Sequence, residues 1–323
     1  MSILLTIVLL LMSLLLGMHI WTRRLTRQGT EMVPQLGRIV PVHGGSIHYV
    51  EKGDPSNPTI VMIHGLSGQL QHFTYALVDD LAQDYHVLAV DRPGCGYSTR
   101  DAAQLAELPE QARMINEFLE TKNVDQATLV GHSLGGAVSL AMALDYPDNT
   151  AALALLAPLT QQMPEPPAVF KPLEIRTEWL RNLIGNTIAV PMARKTAPLV
   201  LKDVFAPEPA PSDFLNRAGG ALGLRPSAFI TASQDVVGVE ASMGALTSRY
   251  NDLRVPGGIL FGTEDPILSA ELHGATMTKF GLIFEVMEHR GHMILITEPE
   301  VCARFIRQIA ENSRTRLAEQ DAH

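Results

Sequence analysis

The chain has 323 residues, 46% of them hydrophobic and 18% charged, with a formal net charge of −9. That length buries one large core, alone or with an inserted second unit. The acidic balance, with no basic stripe between aromatics, argues against a nucleic-acid partner. The two cysteines, Cys95 and Cys302, make neither a disulfide framework nor a metal-ligand spacing, and read as buried thiols.

Ile3 to Ile20 carries no charge and is almost wholly Leu, Ile, Val and Met. At ~1.5 Å per residue it is about long enough for a ~30 Å hydrocarbon core. Trp21 follows where an interfacial aromatic belongs, and then Arg23, Arg24 and Arg27. A cleaved signal peptide carries Lys or Arg before its apolar run and a small-residue cleavage site after it. Neither is present, so residues 1–21 are predicted to be an uncleaved transmembrane anchor, the single span of the chain. The positive-inside rule then holds the arginine side, and the body behind it, in the cytoplasm. Residues 22–36 are expected to be a tether.

Arg38 to His43 and Ser46 to Glu51 predict two strands joined at Gly44-Gly45. Thr59 to Ile63 is a β-branched apolar strand running into His64-Gly65-Leu66. A helix is expected over Gln71 to Gln83. His86 to Val90 is a buried strand that opens into Asp91-Arg92-Pro93-Gly94-Cys95-Gly96-Tyr97-Ser98, a loop dense in turn residues. Pro109 to Lys122 fits a helix with proline in its first turn. Strands alternating with helices imply a mostly parallel sheet covered on both faces.

The next stretch organises the chain. An apolar run, Ala127 to Val130, enters Gly131-His132-Ser133-Leu134-Gly135, and a small-residue helical pattern leaves it. A serine on a sharp strand-to-helix turn needs flanking positions without side chains, which is the G-x-S-x-G spacing. The first N–H groups of the following helix are unpaired and face whatever the serine attacks. With strand before and helix after, this is a nucleophile elbow, and the chain here resembles the α/β-hydrolase family. The likeness runs from about Gly37 to about Arg316. It implies an α/β-hydrolase core at 37–158 and 227–323 and a helical lid inserted at 159–226; the residues themselves predict a strand at Ala152 to Leu156.

Within that insertion, Pro158 to Pro226 holds more than half of the chain's 21 prolines, which disfavours long regular elements across it. Ile175, Trp179, Leu180, Leu183, Ile184 and Ile188 nevertheless recur at helical spacing. Such a stripe is ordinarily core packing. If it belongs to a lid, its apolar residues, Trp179 and Leu183 among them, are expected to line or cover an acyl pocket. Beyond it, Gly258 to Phe261 is a strand ending in Gly262-Thr263-Glu264-Asp265-Pro266, and Ser269 to Phe280 is helical. Leu282 to Met287 is a last strand ending in Glu288-His289-Arg290-Gly291-His292, and Pro299 to Arg316 is a closing helix.

A serine hydroxyl attacks well only when a base takes its proton, and histidine titrates near the working pH. Of eleven histidines, His292 is preceded by a flexible glycine, lies after Ser133 and Asp265, and opens the family-like Gly-His-Met-Ile-Leu-Ile-Thr-Glu-Pro-Glu. His289 lacks that glycine and comes too early. His132 is expected to pack inside the elbow, and His64 to brace its loop. The histidine needs an anion to fix its tautomer. Asp265 closes Gly-x-x-Asp just past a strand, and the order Ser, Asp, His matches the fold. Glu264 adjoins it, and because adjacent side chains on an extended segment point apart only one of the two can face the histidine; the resemblance, which places the acid three residues after the glycine, implies Asp265. The tetrahedral intermediate needs two placed N–H donors. Leu134 supplies one, and the resemblance places the other at Leu66.

Serine at the elbow disfavours the dehalogenase and epoxide-hydrolase chemistry that the same fold supports with aspartate. No metal spacing, dinucleotide fingerprint or P-loop is present, so no cofactor is expected. The expected activity is hydrolysis of a carboxylic ester or similar acyl bond through an acyl-serine, on an acyl substrate that suits a membrane-bound enzyme when amphiphilic. The same triad also serves acyl transfer, C–C hydrolysis and cofactor-free perhydrolysis, and a non-catalytic ligand-binding protein on this scaffold is the reading outside enzymes.

Overall fold

The computed structural model describes residues 2–321. Its centre is a nine-stranded sheet. The strands are β1 (Arg38–Val42), β2 (Gly45–Lys52), β3 (Thr59–Ile63), β4 (His86–Val90) and β5 (Thr99–Arg100), then β6 (Ala127–His132), β7 (Thr150–Leu156), β8 (Gly257–Gly262) and β9 (Ile283–Met287). They lie side by side in the order β1, β2, β4, β3, β6, β7, β8, β9, with β5 on β2. β1 and β2 form the antiparallel hairpin expected at Gly44-Gly45, and β2 joins β4 antiparallel. From β4 to β9 every neighbouring pair is parallel. Every residue of β4 and of β6 is buried, as helices on both faces of a parallel sheet require.

β6 runs straight into the elbow helix, Leu134–Asp145, whose first ten positions, 134–143, are all buried. That close fit depends on Gly135, which abuts the Ile63 carbonyl with no room for a Cβ. The helix packs on Leu108–Thr121, which starts with Pro109 in its first turn. Two expected helices are shorter than the sequence implies. Gln71 to Gln83 is split into Gln71–Thr74 and Leu77–Leu81, and Ser269 to Phe280 into Ala270–His273 and a 3₁₀ turn at Ala275–Phe280.

The insertion between β7 and β8 is more regular than its proline content suggested. An unbroken helical run spans Glu178–Ile184, a π-helical turn at Gly185–Ala189, and Val190–Phe205. A second long helix, Pro226–Ser248, lies beyond the expected lid boundary at 226 and belongs to the same insertion. Proline interrupts a helix by removing an N–H, and Pro191 leaves the Thr187 carbonyl, four residues back, without its helical donor. The Thr22 hydroxyl donates to that carbonyl instead, at 2.7 Å.

Thr22 belongs to the N-terminal helix, Ser2–Met32. The segment expected as a tether is therefore helical through Met32 and docked on the insertion. Leu25 packs with Val190 and Leu224, and Gly29 sits against the Ala221 backbone. His19 Nδ1 donates to the Asn186 carbonyl at 3.0 Å, and Arg225 Nε to the Thr30 hydroxyl at 3.1 Å. The tether reading failed because the stripe Thr22, Leu25, Gly29, too polar to mark a span, has a complementary surface to bury against. Residues 3–14, by contrast, are exposed along their whole length, and Ile3–Met32 is long and apolar enough to be a candidate membrane span.

Candidate active site

Four loops meet above the carboxyl ends of the parallel strands, where α/β sheets open their ligand crevice. They follow β3, β6, β8 and β9 and carry Leu66, Ser133, Asp265 and His292. Ser133 has φ 53° and ψ −122°, a region that a residue with a Cβ occupies only under constraint. The constraint is visible: Ser133 N–H donates to the Leu156 carbonyl at 3.1 Å, and the Ser133 carbonyl accepts from Leu159 N–H and Gly136 N–H, both at 2.9 Å. Gly65 approaches so closely that a Cβ there would lie 2.8 Å from the Ser133 Cβ. The third glycine-like requirement, at Gly65, is thus a matter of contact rather than of backbone angle.

His292 Nδ1 and Asp265 Oδ2 are 2.7 Å apart, with both side chains buried. The other carboxylate oxygen, Oδ1, accepts from Ile267 N–H at 2.8 Å and Leu268 N–H at 2.9 Å. Those backbone donors fix the carboxylate, and the carboxylate holds the imidazole with Nδ1 protonated and the Nε2 lone pair free for a proton. Glu264 turns outward and pairs with His289 at 2.7 Å in solvent. The carboxylate and the histidine that competed in the sequence are therefore paired with each other and away from the crevice.

His132, one residue before Ser133, stacks its ring 4.9 Å from the His292 ring. Its Nε2 donates to the His292 carbonyl at 3.1 Å, which ties the His292 backbone to the elbow. Burial, reinforced by the neighbouring His292, holds the His132 imidazole well below the usual histidine pKa, so it stays neutral. The Ser133 hydroxyl has no hydrogen-bond partner among the described residues, and such contacts are commonly loose before substrate binds.

The loop after β3 is held by two groups. The Arg92 backbone N–H donates to His64 Nε2 at 2.9 Å, so His64 Nδ1–H is the donor to the Gly65 carbonyl, also at 2.9 Å. The Arg92 side chain, fully buried, donates from Nε to the His64 carbonyl at 2.8 Å and from Nη2 to the Gly65 carbonyl at 3.0 Å. Its remaining charge is met by Asp235 Oδ2 at 2.8 Å, and Asp235 Oδ1 accepts from Arg100 at 2.7 Å. Asp235 lies on the long helix of the insertion. Arg92 and Asp235 escaped the sequence reading, in which Arg92 was one residue of a turn-rich loop and Asp235 one carboxylate among many. The only signal was a charged pair, Asp91-Arg92, directly after a buried strand.

Leu66, Ser133 and Leu134 line one cavity of about 360 Å³. Leu66 N–H has no acceptor among the described residues, and Leu134 N–H belongs to the first turn of its helix, where no intrahelical partner exists. The cavity wall is apolar, with Leu159, Met163, Phe170, Val239 and Met243, and charged side chains, Glu165, Lys171, Glu174 and Glu240, stand around it. Trp179 and Leu183 do not line it. They face outward, 68% and 42% exposed, because the wall is built by the loop 161–174 and the Pro226–Ser248 helix, neither of which carries the periodic stripe that drew attention to them. Cys95 is buried, with its thiol pushed up to about 12 chiefly by burial, and Cys302 is likewise buried and raised. Among the described residues no His, Cys, Asp and Glu cluster could hold a metal.

A strained serine between strand and helix, and a carboxylate-held histidine three strands away, sit where an α/β-hydrolase fold opens its crevice. The chain belongs to that family, whose model matches residues 58–299. It is 33% identical over 131 residues to the dihydrolipoyllysine-residue acetyltransferase component of the acetoin cleaving system of Cupriavidus necator, covering 41% of this chain and 34% of that protein. The chain thus spans about a third of that relative's length. It is 28% identical to the (E)-2-((N-methylformamido)methylene)succinate hydrolase of Acinetobacter baylyi, over 78% of this chain and 89% of that one. It is 24% identical to the monoacylglycerol lipase abhd6-B of Xenopus laevis, over 80% and 77%. Among solved structures, a bacterial membrane phospholipase A superposes with a TM-score of 0.67 at 22% identity, covering 97% of this chain and 99% of that chain. The enol-lactonase of Burkholderia xenovorans gives 0.67 at 18% identity, covering 84% and 99%. At these identities the structural likeness is one of fold.

Proposed function

We propose that the protein is a serine hydrolase that cleaves carboxylic esters of amphiphilic molecules through an acyl-serine. The observation that carries this reading is the buried Asp265–His292 pair, tied to the elbow through His132, together with a positive-φ Ser133 that lines an apolar cavity. In the proposed reaction Ser133 Oγ attacks the ester carbonyl carbon while His292 Nε2 takes the hydroxyl proton. Leu66 and Leu134 N–H groups hold the oxyanion, a contribution of roughly 3–4 kcal/mol for one such donor in a comparable hydrolase. Collapse expels the alcohol, which leaves with the proton from His292. Water, deprotonated by the same nitrogen, then releases the acid and restores Ser133. An apolar wall with charged groups around it suits a substrate with one apolar and one polar part, and a monoacylglycerol lipase is among the relatives.

A fluorophosphonate probe tests the nucleophile, since only an activated serine is labelled. The expected result is labelling of the wild type and none of Ser133→Ala, with p-nitrophenyl ester turnover lost in the same variant. Turnover equal to wild type in Ser133→Ala would end the proposal. The N-terminal helix is read as a single membrane span with the body on the cytoplasmic side, from the arginines that follow it. Protease added to intact cells should then leave the body uncut and digest it only after permeabilisation; digestion in intact cells would reverse the orientation.

A further inference from the structure

The helical run of the insertion carries an outward apolar face whose register is kept by its π-helical turn. Trp179 and Leu183 are separated by four residues, Leu183 and Ile188 by five across Gly185–Ala189, and Ile188 and Met192 again by four. A π turn bonds over five residues, so the odd step falls where the helix is wide and the four side chains stay on one side. All four are exposed. The face is not cavity lining, and in the described structure it touches nothing that would account for it.

Its place beside the N-terminal helix says what covers it. Of residues 3–20, only Leu15, Met18 and His19 are not exposed. Leu15 and Met18 continue, at alternating steps of three and four, the stripe Thr22, Leu25, Gly29 that packs on the insertion, and His19 adjoins Met18. His19 reaches the carbonyl of Asn186 within the π turn. The uncharged run Ile3–Ile20 is only about 27 Å long at the helical rise, so a bilayer core needs all of it. The insertion therefore meets the helix inside the stretch that the bilayer must cover, and Leu183 and Ile188 flank that meeting point.

Charge agrees. In a molecule of net charge −9, residues 3–30 and 179–202 contain no Asp or Glu. Arg23, Arg24, Arg194 and Lys195 are exposed there, as a surface facing anionic headgroups requires.

We infer that Trp179, Leu183, Ile188 and Met192 form a second membrane contact, seated in the headgroup–acyl boundary of the leaflet from which the N-terminal helix emerges. The occupant is the bilayer itself. This rests on the reading of that helix as a membrane span. The contact brings the cavity within reach of lipid, because the chain from Glu174 at the cavity to Trp179 spans no more than ~18 Å.

The chain has two tryptophans, Trp21 and Trp179, and each can be made the sole emitter. Full-length Trp21→Phe and Trp179→Phe variants are reconstituted in phosphatidylcholine–phosphatidylglycerol vesicles, with and without phosphatidylcholine brominated near the glycerol end of its chains. Trp179 alone is expected to emit to the blue of its wavelength in water and to lose emission with the brominated lipid. Trp21 alone should also be quenched, which reports the span. Trp21 quenched with Trp179 unquenched and red-emitting overturns the second contact and leaves the span intact. Trp179 blue-shifted yet unquenched also overturns it, and assigns the face to another copy of the chain. Neither residue quenched overturns both, and Trp179 quenched without Trp21 overturns the span and with it the placement of this contact beside it.

Discussion

At the residue scale the site turns on which of two adjacent carboxylates serves the histidine. Asp265 accepts two backbone N–H bonds on one oxygen and faces His292 with the other. Glu264 instead meets His289 in solvent, where a surface pair contributes little. Asp265→Asn should therefore lower ester turnover by about 10⁴, the scale known for loss of the acid in a serine triad. Glu264→Gln should leave turnover within about twofold of wild type. Steady-state kinetics on a p-nitrophenyl ester checks both; a crippled Glu264→Gln would move the acid by one residue. Alternation along an extended segment made it readable that only one of the two faces the histidine, and the family resemblance pointed to Asp265. The tautomer of His292 was not readable, because it depends on a partner from another strand.

At the scale of elements, the loop after β3 and the long helix of the insertion are joined through Arg92. Two carbonyls of the loop accept from its guanidinium, and Asp235 on the helix balances it together with Arg100. All three side chains are at most 1% exposed. Removing one partner from a buried ionic group leaves its charge uncompensated, at a cost of about 3–5 kcal/mol. Asp235→Asn should lose stability on that order in urea denaturation. It should also lower kcat more than it raises KM, because the loop that carries Leu66 N–H relaxes while the cavity wall remains. Stability equal to wild type would show that solvent or another group neutralises the arginines. The sequence marked the loop but not its brace, since nothing along the chain links position 92 to position 235.

For the whole molecule, buried histidines couple the fold to pH. His72 and His273 are pushed down to about 4, chiefly by burial, and burial holds His64 and His132 well below the usual value. His273 also receives the Thr160 and Gln161 N–H groups on its Nδ1, both at 3.2 Å, which only the neutral ring accepts. Between pH ~6.5 and ~4 the unfolded chain binds protons at these sites and the folded one does not, so stability rises with pH there. It is full above ~6.5 and lost as the pH falls toward ~4, by up to roughly 3 kcal/mol for each of His72 and His273. His48 acts in the other direction: burial disfavours its charge, but the Asp91 carboxylate outweighs burial and raises it. Urea midpoints measured from pH 7.5 to 4.5 should fall with acidity, and a flat profile would mean that these rings open to water before they titrate.

What the sequence determined by itself is local in origin. Strand and helix periods, the side-chain-free positions around Ser133, and loops that follow strand ends are each readable within a few residues, because they express backbone sterics and one-sided burial. They were enough for the family, for the parallel sheet, and for the residues that the structure gathers at Asp265 and His292. Tertiary structure alone decided the rest. The wall of the cavity comes from an irregular loop and from a helix whose apolar residues cluster only after folding. The segment after the apolar run is helical to Met32, with Thr22, Leu25 and Gly29 packed on the insertion. Trp179 and Leu183, periodic and apolar, face outward. Periodicity records that a helix has an apolar face, and only the assembled fold shows whether that face is turned to the core.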